Sequence, residues 1–451
     1  MVRAFEKMVR RLTSDRKFSE ILTGSIFAMA ARAAAVAFAM LANIVIARFY
    51  GAQAMGILAM VNSFLFLITI FTVLGTGTSI LRLIPEHIAR HSVTSAFRVY
   101  RKTQYVVAAV SVVSGTAFFF ASGIVADKVF SKPHLSFFFA LAAGFVAFKS
   151  LMDLNSQAVR GLRLIRTFAF MQLLPSLAML VVLIAGTLLF RHPNNPVYSQ
   201  LAAYAVTAMV GALIMDHAFK KGMRTDDVVK PLAVPEILSM SMPMLMSASM
   251  YFFTSQTGVI MLGMFRTESE VGYYSVASKL ANLTAFVLQA INTMAAPKFS
   301  ELYHTDKMDE LFHVARKSSK LIFWTTAPIL ITLVLLGRPL LGLFFGGDFI
   351  VAYVALIMLA IGQLVNSISG STGYFMNMTG HQNAFRNIMF CSALINIALS
   401  LALIPRFGMN GAAFAGMVSL ASWNIYTLIY IRIKFGRTIG YVPLFWRSPA
   451  K

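Results

Sequence analysis

The sequence predicts an all-α integral membrane protein of about twelve transmembrane helices, and three observations carry that reading. Of 451 residues, 58% are hydrophobic and only 12% are charged, where a soluble domain carries roughly a quarter charged residues. The apolar residues gather into stretches long enough to cross the roughly 30 Å hydrocarbon core of a bilayer, which takes about 20 helical residues. The basic residues gather in alternate breaks between those stretches. A chain this long with so few charges could not coat the surfaces of soluble domains.

Residues 1–21 precede the first long apolar run. Val2, Phe5, Met8, Val9 and Leu12 recur at helical spacing with Arg3, Lys7, Arg10 and Arg11 between them. That is the pattern of a basic amphipathic helix on the cytoplasmic surface; a disordered basic tail fits the same residues. The run that follows is too long for a signal-peptide core and carries no small-x-small cleavage site, so it reads as uncleaved. Twelve spans are predicted, at 22–48, 53–77, 103–126, 134–153, 167–190, 197–219, 237–264, 271–295, 319–344, 349–377, 385–405 and 409–433. The narrowest gaps separate spans 1 and 2, marked by Gly51, and spans 11 and 12, marked by Pro405 and Gly408.

Charge placement orients the helices. With the N-terminus inside, 29 of the 39 Lys and Arg residues fall in cytoplasmic segments and seven in outer ones, the asymmetry of the positive-inside rule. Both termini are therefore predicted to be cytoplasmic. A net charge of +22 would suggest a nucleic-acid partner in a soluble protein. Here the charges flank apolar runs instead of interleaving with stacking aromatics, so no nucleic acid is expected.

The longest central polar break, about 217–236, divides the chain into six helices plus six. The predicted organisation is a cytoplasmic tail (1–21), a first lobe (22–219), a linker (220–236), a second lobe (237–434) and a basic cytoplasmic tail (435–451). The halves echo each other: ARFYGAQAMGILAMVNSF joins spans 1 and 2, and GMFRTESEVGYYSVASKL joins spans 7 and 8. Aligning Phe49 with Phe265 also aligns Gly56 with Gly272, at a constant offset of 216. Both halves start inside, so the repeats are parallel, and substrate sites in such transporters lie near the midplane.

Charges within spans are functional candidates because burying them in lipid is costly. Three occur, all basic: Arg32, Lys149 and Lys279. Arg32 lies about ten residues, roughly 15 Å, into its helix. It either faces a cavity as an anion-binding group or pairs with a helix-end acid or backbone carbonyls. Lys149 has Asp153 four residues on, so a local ion pair and a substrate role both stand. Lys279 is open to either reading. Arg82 and Glu86, flanking Pro85, sit where span 2 reaches the cytoplasm and fit the lining of the inner mouth or an interfacial ion pair. Asn43, Asn62, Gln256, Asn282, Gln289 and Asn292, with Gln172, Gln363, Asn366 and Asn396, are intramembrane amides. Each fits an interhelical hydrogen bond, and together they suggest a partly hydrated interior. The many Met and Phe residues read as packing or lipid-facing side chains.

Several chemistries are missing from the sequence. No carboxylate lies deep in a span, Asp153 and Asp216 both being near span ends. There is no GxxxxGK[ST] phosphate loop, no paired carboxylates, no metal-ligand cluster and no nucleophile constellation. The lone Cys391 lies in an apolar run, which excludes a disulfide framework. No cofactor, metal or catalytic site is expected.

LGLFFGGDF after span 9, Pro297 ending span 8, Gly380 between spans 10 and 11, IPRFGMNGAAFAGMVS linking spans 11 and 12 and FYGAQAMGILAMVNSF near the start resemble the polysaccharide and O-antigen flippases. That family belongs to the multidrug/oligosaccharidyl-lipid/polysaccharide exporter superfamily. The resemblance implies two six-helix lobes around a central cavity, as in the multidrug exporters of that superfamily. It also implies alternating access and flipping of an undecaprenyl-pyrophosphate-linked oligosaccharide across the bacterial inner membrane, among membrane lipids and polysaccharide-assembly proteins. The buried cations agree independently, since a pyrophosphate head group calls for fixed positive charge. One departure stands in span 7, where many relatives carry an acid and this chain has SQTGVIMLG. The rival readings are an ion-coupled multidrug exporter, which would want embedded acids, a lipid II flippase, and a membrane enzyme of polysaccharide assembly.

Overall fold

The chain turns back on itself twice at a glycine. The computed structural model describes residues 16–190, 192–220 and 233–441. Its first helix, α1 (Arg16–Val73), is 58 residues long but holds Gly51 at φ 76°, ψ −175°. The last, α13 (Gln382–Phe435), is 54 residues long and holds Gly408 at φ 55°, ψ −133°. Positive φ strains any residue with a Cβ, and glycine adopts it freely. Each glycine therefore folds one long helix into two legs, at the two narrow gaps expected between spans 1 and 2 and between spans 11 and 12.

Between them run α2 (Thr76–Arg90), α3 (Val93–Ile124), α4 (Ser136–Gly161), α5 (Ile165–Leu189), α6 (Asn195–Lys220) and α7 (Val234–Phe265). They are followed by α8 (Glu268–Ala281), α9 (Leu283–His304), α10 (Met308–Leu340), α11 (Tyr353–Ser369) and α12 (Thr372–Met378). Every predicted span falls largely on helix, and no strand occurs among the described residues. Eight stretches there are long and apolar enough to cross a membrane, two of them the bent α1 and α13. Phe120, Leu188, Leu213, Leu335 and Ile433 are each at least 70% exposed. Apolar surface of that kind is stable only against lipid, where helices satisfy their own backbone groups. The protein is an all-α, multi-pass membrane protein.

Three predicted spans are not single helices. Span 2 is broken at Leu74–Gly75, both at positive φ, where a Cβ on Gly75 would lie 2.3 Å from the Ser241 carbonyl oxygen. Span 8 is interrupted at Asn282, between α8 and α9. Span 10 is interrupted at Gly370, whose Cβ would lie 2.0 Å from Ser319 Oγ. Mean hydropathy is blind to such breaks. Conversely, Pro297, expected to end span 8, lies inside α9, which continues to His304. A proline removes one backbone hydrogen bond, and a helix packed on its neighbours tolerates the loss. The amphipathic run at 1–12, the linker at 221–232 and residues 442–451 lie outside the described residues.

Packing divides the described residues into two units. The first holds those up to Asn43, Phe64–Asp127 and those of Lys132–Ala248; the second holds Ile44–Ser63, Lys128–Ser131 and those from Ser249 on. In the first unit Ile80, Ile84, Tyr100, Leu154, Met215 and Phe219 close a core between α2, α3, α4 and α6. Tyr100 donates to Asn155 Oδ1 at 2.8 Å, and Asn155 Nδ2 donates to the Ala208 carbonyl at 3.2 Å.

In the second unit Phe299, Leu311, Phe312, Phe375 and Ile431 form the core with Ile439. Ile439 lies beyond the last helix. Gly436 ends α13 at φ 70°, and the chain folds back as a strap. Arg316 Nε donates to the Thr438 carbonyl at 2.8 Å. The Tyr441 N–H donates to the Ile368 carbonyl at 2.8 Å, and Trp324 Nε1 donates to Tyr441 Oη at 3.2 Å.

The second unit also contains a backbone-on-backbone crossing. A Cβ on Gly56 would lie 1.7 Å from the Glu268 carbonyl oxygen, and one on Gly272 would lie 2.1 Å from that of Ala52. Two further polar clamps act there. The Arg48 guanidinium donates to the carbonyls of Phe344 at 3.2 Å, Gly342 at 3.4 Å and Leu343. Arg266 donates to the Ile404 and Pro405 carbonyls at 3.2 and 3.1 Å, while Glu270 accepts from the Met409 N–H at 3.2 Å. The α1 and α13 bends are thus held by groups that read, in the sequence, as ordinary outer-loop charges.

Candidate substrate site

Of the candidate cations, Arg32, Lys149 and Arg82 belong to the first unit. Lys149 on α4 is 17% exposed and sits 2.5 Å from Asp153 Oδ2, the i,i+4 pair that the sequence allowed. Its ammonium also lies 5.4 Å from the centre of the Tyr204 ring on α6, within cation–π range. An ion pair and an aromatic face hold this cation in one place while leaving part of it accessible. Arg82 on α2 is 70% exposed and 3.6 Å from Glu86, which takes Arg90 at 3.0 Å as well. Arg32 is exposed on α1. Asn43 is buried and back-bonds to the Ala39 carbonyl at 2.7 Å within its own helix.

The other candidates lie in the second unit. Lys279 is partly buried on α8. Gln256 on α7 accepts from Ser63 Oγ at 2.7 Å. Asn62 and Gln289 are half-buried, and Asn292 is buried with its Oδ1 unpartnered. Asn282 is exposed at the α8–α9 break. Gln363 and Asn366 on α11 join it in a chain: Gln363 Nε2 donates to Asn282 Oδ1 at 2.8 Å, and Asn366 Nδ2 donates to Gln363 Oε1 at 3.2 Å. Of the remaining amides, Gln172 is exposed on α5, and Asn396 accepts from Ser400 Oγ at 3.3 Å.

Sequence reasoning missed several members. Asn424 on α13 donates to Asn366 Oδ1 at 3.2 Å; it lies in span 12, and the rule that selected the other amides selects it too. Tyr204, one of 14 tyrosines, carries no sequence signal that ties it to Lys149. Among the described residues there is no cluster of His, Cys, Asp and Glu that could hold a metal ion.

A family model described as polysaccharide biosynthesis protein matches residues 45–354, well over half of the chain. The chain belongs to that family. Among curated relatives, "Probable low-salt glycan biosynthesis flippase Agl15" of Haloferax volcanii is 25% identical over 188 residues, which is 41% of this chain and 40% of that protein. "Probable flippase AglR" of the same organism is 29% identical over 170 residues, 37% of this chain and 35% of that protein. The matched stretches thus span less than half the length of these relatives, whose names are those of flippases. Two solved structures share the fold across 91% of the chain at 14% identity. They are a lipid II flippase, MurJ, in an inward closed conformation, with a TM-score of 0.72 and 87% of its chain covered, and an inward-facing multidrug resistance MATE family transporter of the MOP superfamily, with a TM-score of 0.70 and 98% covered. This member of the polysaccharide biosynthesis family therefore has the fold of that superfamily's transporters.

Proposed function

We propose that the protein flips an undecaprenyl-pyrophosphate-linked oligosaccharide from the cytoplasmic to the outer leaflet of the bacterial inner membrane. It does so by alternating access of two six-helix lobes, with both termini in the cytoplasm, to supply cell-surface polysaccharide assembly. The observation that carries this reading is the sign of the intramembrane charge. Arg32, Lys149 and Lys279 are basic residues within predicted spans, whereas Asp153 and Asp216 lie near span ends, and Lys149 is held partly buried beside Asp153 and Tyr204. A diphosphate is the head group such cations suit, and family membership and the flippase names of the relatives support the same reading.

Outward movement needs no coupling proton. Moving one charge through 100 mV is worth about 2.3 kcal/mol, so a head group of about two negative charges gains roughly 4–5 kcal/mol on leaving a negative interior. In proteoliposomes containing the purified chain, flipping should accelerate when the side holding the substrate is made negative. Rates that ignore an imposed potential would sink this energy source. In the host, deleting the gene should trap intact lipid-linked units on the cytoplasmic face, with export restored by the wild-type chain and not by Arg32→Ala. Normal export with new drug sensitivity would point to an exporter of the same fold.

A further inference from the structure

Four amides and two hydroxyls in the second unit form one connected chain. Thr372 Oγ1 lies 3.4 Å from Asn424 Oδ1. Asn424 Nδ2 donates to Asn366 Oδ1, Asn366 Nδ2 to Gln363 Oε1, Gln363 Nε2 to Asn282 Oδ1, and Asn282 Nδ2 to Ser278 Oγ at 3.3 Å. Every amide donates in the same direction. Thr372, Asn424, Asn366 and Gln363 are all buried, whereas Asn282 is exposed.

That exposure is informative because of its depth. Asn282 is eleven residues beyond Val271, where predicted span 8 begins, and so about 16 Å along that span. A primary amide facing hydrocarbon there would keep its second N–H without any partner, which is costly in a medium that offers no acceptor. An exposed amide at that depth belongs against water. The chain also dictates what Asn282 offers. Its carbonyl is engaged by Gln363, and one of the two N–H groups on Nδ2 is used by Ser278 while the other meets no acceptor among the described residues. Head-to-tail hydrogen bonds polarise one another, which strengthens the terminal donor. Lys279 lies one turn earlier on the same face of α8.

We infer that Asn282 is a contact residue for a hydrogen-bond-accepting oxygen on the transported head group. Gln363, Asn366 and Asn424 are its positioning residues. The inference rests on the flippase reading and deepens it: alongside the charge of Lys279, a directed donor selects which head group is accepted. The accepting oxygen comes either from a phosphate or from the acetamido group of an N-acetylated sugar.

Three soluble probes tell these sources apart when titrated against the purified full-length protein: farnesyl diphosphate, farnesyl-diphospho-glucose and farnesyl-diphospho-N-acetylglucosamine. Asn282→Ala, an exposed substitution, should weaken binding roughly ten-fold, the loss of one good hydrogen bond to a charged or well-placed acceptor. A loss shared by all three probes assigns the phosphate; a loss confined to the acetamido probe assigns the sugar. Gln363→Leu should reproduce most of the loss without lowering the unfolding temperature by more than a few degrees. Combined with Asn282→Ala it should add nothing, since the two act as one unit. In a Cys391→Ser background, Asn282→Cys should react with a membrane-impermeant methanethiosulfonate. Equal probe binding by the wild type and Asn282→Ala, or a cysteine at 282 that stays unlabelled, would overturn this site alone. A wild type that binds none of the probes would overturn the flippase reading and this site with it.

Discussion

Gly56 and Gly272 each lie against the backbone of the other's hairpin, Gly56 on the carbonyl of Glu268 and Gly272 on that of Ala52. Both the two glycines and the two carbonyl-bearing residues are 216 apart in sequence, so the contact is reciprocal at one constant offset. Two helices cross here at a separation that leaves no room for any side chain. Small residues at helix crossings let backbones approach within a membrane, where packing and not water drives association.

Substituting either glycine should therefore force the crossing apart. Gly56→Ala and Gly272→Ala should each cost on the order of 1–3 kcal/mol, the usual penalty for overpacking, and by similar amounts because the two approaches are similarly close. Thermal unfolding of the purified protein in detergent would read the loss. Gly144→Ala, with nothing within 4 Å of the added Cβ, should be neutral or slightly stabilising. Equal tolerance at all three positions would contradict the crossing.

Arg48 caps three consecutive carbonyls at the end of α10. Arg48→Ala should lower stability by about 1 kcal/mol, the value of a modest set of exposed hydrogen bonds. Arg48→Lys should recover only part of that, because a single ammonium cannot fork across three acceptors. The same unfolding measurement checks both, and full recovery by lysine would mean that charge alone matters.

Lys149 and Asp153 make opposite predictions under a substrate role and a structural one. If Lys149 binds the head group, Lys149→Gln should lower export roughly ten-fold, about 1.4 kcal/mol of binding, while Asp153→Asn leaves it within a few-fold of wild type. Quantifying surface polysaccharide in complemented deletion strains separates the cases. Equal losses for the two single variants, cured by Lys149→Met with Asp153→Leu, would make the pair purely structural.

The strap after α13 places Ile439 in the core with 0% exposure. Ile439→Ala should destabilise by about 2–5 kcal/mol, as a buried large-to-small change does. Ile433→Ala, at a position 79% exposed, should change little in detergent. An Ile439→Ala protein as stable as the wild type would mean that the strap is not packed in solution.

Much of the architecture was legible residue by residue. Gly51 and Gly408 announced the two helix bends because two long apolar runs meet there with only a few residues between them, and only glycine takes a positive φ cheaply. Asp153 announced its pair with Lys149 because i,i+4 residues share a helix face whatever the fold. The amide chain was not legible. Asn282, Gln363 and Asn424 sit on three helices far apart in sequence, and nothing local to any of them says which others it meets. Arg48 and Arg266 were read as outer-loop charges by position, and their role as carbonyl clamps depends on where the turn after α10 and the bend of α13 come to rest. Pro297 misled, because a proline's local effect was outweighed by packing along α9.

The sequence by itself determined the solvent and the helical class. Those follow from hydropathy summed over about 20 residues and from charge counts in the breaks, both insensitive to partners. Tertiary structure alone decided where spans 2, 8 and 10 break, which cations are held and by what, and which amides connect. These depend on single close approaches, such as Gly75 against Ser241 or Gly370 against Ser319, and a close approach between distant residues exists only once the helices are packed.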